Sequence, residues 1–126
     1  MVSARTRNCS FELDARGFVV ARVDHGMEMD VTDAREAVQK TFAIAREKRT
    51  AVLVDLRGIR SQSRQARDYL SSSEMQPMFA AVALLIASPV SQVVGTFFMR
   101  LRQQPVPTRL FLDEEQAVDW LLKVES

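Results

Sequence analysis

Apolar and polar positions change period several times along this chain. Cys9-Ser10-Phe11-Glu12-Leu13-Asp14 alternates, which places Phe11 and Leu13 on one face of a strand. Phe18-Val19-Val20-Ala21-Arg22-Val23 continues in β-branched residues, and Ala15-Arg16-Gly17 between the two runs predicts an antiparallel hairpin. After His25-Gly26 the spacing becomes helical: Ala34, Val38, Phe42 and Ala45, with Thr41 beside them, run up to a basic end at Arg46-Glu47-Lys48-Arg49. Thr32 or Asp30 can cap the start of that helix, and the terminal cations suit its carboxyl end.

Ala51-Val52-Leu53-Val54 is a continuous apolar run ending in Asp55, the pattern of a strand covered on both faces. Gly58 breaks it, and a helix is predicted from about Ser63 to Glu74, with Pro77 preventing simple continuation. Ala81 to Ala87 fits helix or strand by pattern alone. Its length and its place between helices favour a buried strand. Ser88-Pro89 opens a third helix with the stripe Val90, Val93, Val94, Phe97, Phe98 and Leu101. Thr108 to Leu112 forms the last strand, and Asp113 caps a final helix with a buried stripe of Ala117, Trp120, Leu121 and Val124.

The resulting order, β-β-α-β-α-β-α-β-α, predicts an α/β domain with a mixed sheet: an antiparallel hairpin at one edge, then parallel strands joined by right-handed crossover helices. Residues 1–8 are expected to be a disordered or extended lead, and residues 9–126 one domain. At 126 residues and 47% hydrophobic composition, a core can form without disulfides or a metal. The longest apolar run, Met78 to Ala87, has ten residues, about half a membrane span. The polar, basic Met1 to Asn8 lacks a signal peptide's apolar stretch, and a cytoplasmic protein is expected, with no integral membrane segment.

This order, together with Val52-Leu53-Val54-Asp55-Leu56-Arg57-Gly58-Ile59, resembles the STAS (SpoIIAA-like) fold of bacterial anti-sigma-factor antagonists. Ala83-Leu84-Leu85-Ile86-Ala87-Ser88-Pro89-Val90, Val94-Gly95-Thr96-Phe97-Phe98, and the ending Pro107-Thr108-Arg109-Leu110-Phe111 with Ala117-Val118-Asp119-Trp120-Leu121 look closer to small bacterial STAS/SEC14-like proteins. The resemblance implies a non-enzymatic regulatory or protein-interaction domain. In the antagonists a strand ending in Asp-x-Ser-Gly leads to a helix opened by Asp-Ser-Ser-Gly, where a serine is phosphorylated. Here Arg57 replaces the first serine, and Gln62-Ser63-Arg64-Gln65 has arginine where the phosphoacceptor would fall. Ser61 and Ser63 are out of register, so the switch is not carried over and no kinase is expected.

Catalytic material is sparse. His25, the single histidine, is read as a turn residue, and Cys9 as a small strand residue. One cysteine allows no intramolecular disulfide and no Cys-based zinc site, and Gly58 and Gly95 sit in no nucleotide-binding motif. No catalytic residue, metal or cofactor is expected. The net charge of +1 argues against a nucleic-acid partner. It also conceals segregation: Arg46 to Arg67 carries seven basic residues against two acids, and Asp113 to Ser126 five acids against one lysine.

Loops following the parallel strands emerge at the carboxyl edge, where ligands of α/β sheets usually bind. Arg57, Arg60, Ser61, Ser63, Arg64, Ser88 and Ser91 are therefore the candidate ligand- or partner-binding residues, with helix starts at Ser63 and Ser88 adding backbone N–H groups. A protein partner, such as a regulator, is the leading expectation. A small anionic or lipid-like ligand at this edge, involving the third-helix region, is the alternative. Homodimerisation through the hairpin edge or a helix face is also compatible with the pattern.

Overall fold

A computed structural model describes residues 3–46, 48–70, 79–86 and 107–125, apart from the side chains of residues 67, 70 and 125. Among these residues the main sheet has six strands, in the order β1-β2-β3-β5-β7-β8 with the ranges that follow. Strands β1 (Ser3–Arg5), β2 (Cys9–Leu13) and β3 (Val19–Val23) pair antiparallel in sequence. Strands β5 (Thr50–Asp55), β7 (Phe79–Leu85) and β8 (Thr108–Phe111) continue it in parallel from β3. The expected mixed α/β sheet is present.

The hairpin turns where Gly17 adopts φ +104°, and its N–H donates to the Asp14 carbonyl at 2.9 Å. Side-chain alternation divides the sheet into two apolar faces. One gathers Phe11, Val19, Ala21, Val82 and Leu84 beneath α1 (Val31–Ile44) and α2 (Arg64–Leu70). The other gathers Phe18, Val20, Leu53, Ala83 and Leu85 beneath α3 (Glu114–Glu125). Both faces of β5 and β7 are thus covered, which is why their sequences are uninterruptedly apolar. Arg35 lies over the Tyr69 ring at 5.5 Å and joins α1 to α2. Phe111 and Trp120 meet at 5.7 Å under α3.

Three sequence expectations need correction. The buried stripe of α1 is Ala34, Val38, Thr41 and Ile44, while Phe42 is half-exposed. In α3, Val118 is buried in place of Val124, which lies at 37% exposure. Finally, α1 stops before its basic run: Ala45 is the C-cap, Arg46 takes φ +58°, and the cations lie beyond the last turn.

Two features had no sequence counterpart. Within the expected lead, Ser3–Arg5 is an edge strand paired with β2. A two-residue parallel pair, β4 (Glu28–Met29) with β6 (Ser61–Gln62), zips the segment after β3 to the segment after β5. Met29 is consequently core, and Met27 packs against it. The expected helix from Ser88 lies outside the described residues.

Candidate functional site

The carboxyl edge is assembled by register. Arg22 and Asp55 are direct partners in the β3–β5 ladder, each near the carboxyl end of its strand. Alternation puts Arg22 on the same face as Val20, the face that α3 covers. Arg22 Nη1 donates to Asp55 Oδ2 at 2.8 Å and to Glu114 Oε1 at 2.8 Å, and its Nη2 donates to Glu114 Oε2 at 2.9 Å.

Asp55 also organises the turn after β5. Its Oδ1 accepts from the Arg57 backbone N–H and from Arg57 Nε, both at 3.0 Å, and its Oδ2 accepts from Arg57 Nη2 at 2.9 Å. Arg57 Nη2 reaches Glu114 Oε1 at 3.2 Å. Two arginines and two carboxylates thus form a neutral cluster. The Asp55 side chain is 10% exposed, against 38–40% for Arg22, Arg57 and Glu114.

Burial pushes the Asp55 carboxyl up, but the bonds from Arg57 and Arg22 outweigh it and hold Asp55 below the usual carboxylate range. The Arg22 hydrogen bonds hold Glu114 below that range as well. Both arginines are pushed further into their charged form, Arg22 chiefly by Glu114 and Arg57 chiefly by Asp55. The basic central stretch and the acidic carboxyl-terminal stretch of the sequence therefore meet here, through Arg57 and Glu114.

Gly58 permits this turn. A Cβ there would lie 2.8 Å from the His25 Cα, so two backbones cross at a distance that excludes any side chain. The Gly26 N–H donates across the crossing to the Gly58 carbonyl at 2.6 Å.

The other candidate residues lie along the adjoining strand and helix start. Arg60 is exposed, and its backbone N–H donates to the Met27 carbonyl at 2.8 Å. Ser61 Oγ donates to Glu28 Oε1 at 3.3 Å. Ser63 Oγ accepts from the Ala66 N–H at 3.0 Å and so caps α2, whose first residue is the exposed Arg64. Both serine hydroxyls are thus engaged within the chain. They line a surface depression of about 310 Å³ that also contains Arg7, Glu28 and Asp30, and its two carboxylates oppose an incoming anion. Ser88, Ser91 and the third-helix stripe lie outside the described residues.

Arg22 and Glu114 were not among the candidate residues, and Glu114 with Glu115 reads from sequence as the ordinary acidic first turn of a helix. The available signal was Arg22 itself, a cation inside the otherwise apolar run Val19 to Val23. Further along the same edge, Arg7 Nε and Nη2 bind Asp33 Oδ1 and Oδ2 at 2.9 and 2.8 Å, and Arg5 pairs with Asp24.

Elsewhere the chemistry is quiet. Burial pushes the Cys9 thiol up to about 11. Between α1 and the sheet is an apolar cavity of about 90 Å³ bordered by Phe11, Val38, Thr41 and Val82. No cluster of three or more metal-ligating side chains occurs among the described residues. Nor, among them, is any helix long and apolar enough to cross a membrane.

Topology and edge together define a SpoIIAA-like α/β domain. A solved structure agrees: an uncharacterized protein of the DUF3478 family from Shewanella loihica, with a SpoIIAA-like fold, matches at TM-score 0.64 and 18% identity, over 94% of this chain and 93% of that one. The chain belongs to the family described as Domain of unknown function (DUF7793), whose model matches residues 11–125. No curated protein matches it.

Proposed function

We propose that this chain is a non-enzymatic recognition domain that binds an acidic protein surface through its carboxyl edge, without a serine switch. Arg64 is the observation that carries the reading. It stands where the resembled antagonists have their phosphoacceptor, it is the first residue of α2, and it is exposed. A cation at a helix amino terminus opposes the helix dipole, at a cost of about 0.3–1 kcal/mol. Helix stability therefore does not account for it, whereas an external anionic group would. Arg60, exposed four residues earlier, extends the same positive surface.

Charge reversal tests this. Affinity capture from a bacterial lysate would compare the native chain, Arg60→Glu with Arg64→Glu, and a control pair at the amino end of β5, Arg46→Glu with Arg49→Glu. The reading expects specific protein partners to disappear with the first pair and persist with the second. Equal capture by both variants would overturn it, as would turnover of a substrate by the native chain.

A further inference from the structure

We propose that Arg22 and Arg57 form a carboxylate-binding fork that the chain's own Glu114 occupies in cis. The inference rests on the recognition reading above and names a second site at the same edge. The two carboxylates of the cluster have unequal roles. Asp55, nearly buried, holds both arginines from beneath through four hydrogen bonds to their side chains and the Arg57 backbone. Glu114, at 38% exposure, comes from a separate element and receives two bonds from Arg22 and one from Arg57.

Among the described residues, the bonds to the Glu114 carboxylate come from Arg22 and Arg57 and none from α3 itself. Asp113 Oδ2 accepts the Gln116 N–H at 3.2 Å and supplies the helix cap. Swinging Glu114 outward would leave α3 capped, both arginines still held by Asp55, and one uncompensated positive charge facing solvent. Such a preorganised pair of guanidinium groups suits a planar carboxylate, with a bidentate contact from Arg22 and a third donor from Arg57. Glu114 therefore acts as a tethered competitor, and the ligand is a carboxylate carried by an acidic segment of the partner.

The test is an NMR titration read at the Nε–H signals of Arg22 and Arg57, using a tetraglutamate peptide and succinate as separate probes at low salt. A tethered competitor acts at an effective concentration of about millimolar or above, so Glu114→Gln should bind the peptide at least about ten-fold tighter than the native chain. Adding Arg57→Ala to Glu114→Gln should abolish the gain. Tighter binding of the peptide than of succinate assigns the ligand to a protein segment, and the reverse assigns it to a free dicarboxylate.

No gain for either probe, or a gain that survives Arg57→Ala, overturns the fork. If Glu114→Gln melts early, Glu114→Asp keeps the charge but draws the carboxylate back by one methylene. It should show a smaller gain by the same readout, and no gain there overturns the fork equally. Loss of partner capture at Arg60 and Arg64 with no gain here would leave the recognition reading standing and remove only this site.

Discussion

Two helices of this chain begin with an arginine fork on a first-turn carboxylate, and the two forks differ in what the carboxylate does besides. Asp33 of α1 accepts two bonds from Arg7, but its Oδ2 also accepts the Asp30 N–H at 3.0 Å, while Asp30 Oδ1 accepts the Asp33 N–H at 2.9 Å. It completes a capping box, and its side chain is 4% exposed. Glu114 of α3 accepts bonds of similar length from its arginines, yet it is not the cap and it stays open to water. Contact distance alone does not separate a structural ion pair from a replaceable one. The second task of the carboxylate and its exposure do.

The largest expected effect falls on Asp55. Asp55→Asn should cost about 2–3 kcal/mol in urea unfolding, below the range for fully buried pairs because both arginines retain water. Asp33→Asn should cost about 1–2 kcal/mol, from weakening the capping box and leaving a buried position poorly paired. Glu114→Gln should stay within about 1 kcal/mol, as exposed pairs do. If Glu114→Gln proved as damaging as Asp33→Asn, the distinction between the two forks would collapse.

Acid sharpens the same comparison. Asp33, Asp55 and Glu114 all have folded pKa values held below the ordinary range, so the unfolded chain takes up protons first as pH falls. Their contribution is complete above the unfolded value of about 4 and is lost as pH drops through the lower folded values. Urea midpoints measured down this range should fall more steeply for the native chain than for Asp55→Asn. The smallest effect concerns Cys9. With its thiol near 11 and buried, alkylation of the folded chain at neutral pH should be negligible by mass spectrometry and appear only on unfolding.

Much of the fold was legible because its signals are local. The hairpin turn, the doubly covered β5 and the cap at Asp113 each depend on a few adjacent residues, whereas the sequence left Thr32 and Asp30 both open as the cap of α1 and the structure uses Asp30. The strands β1, β4 and β6 are too short to show a period, and the buried face of α1 was set by packing against the sheet rather than by the spacing of Phe42. The site was less legible. Arg57 was found as a cation at the right edge, but its partner Glu114 lies 57 residues away. Arg22 and Glu114 lie 92 residues apart, and only the β3–β5 register and the return of α3 across the sheet bring them together.

The crossing of His25 over Gly58 has a practical consequence. His25 is the single histidine in the chain, it is exposed, and its backbone touches the residue immediately after Arg57. Its imidazole Hδ2 and Hε1 protons therefore give histidine NMR signals that are assigned without ambiguity, from a residue whose backbone lies against the neighbour of Arg57. Occupancy of the edge can be followed through that native reporter, with no label introduced.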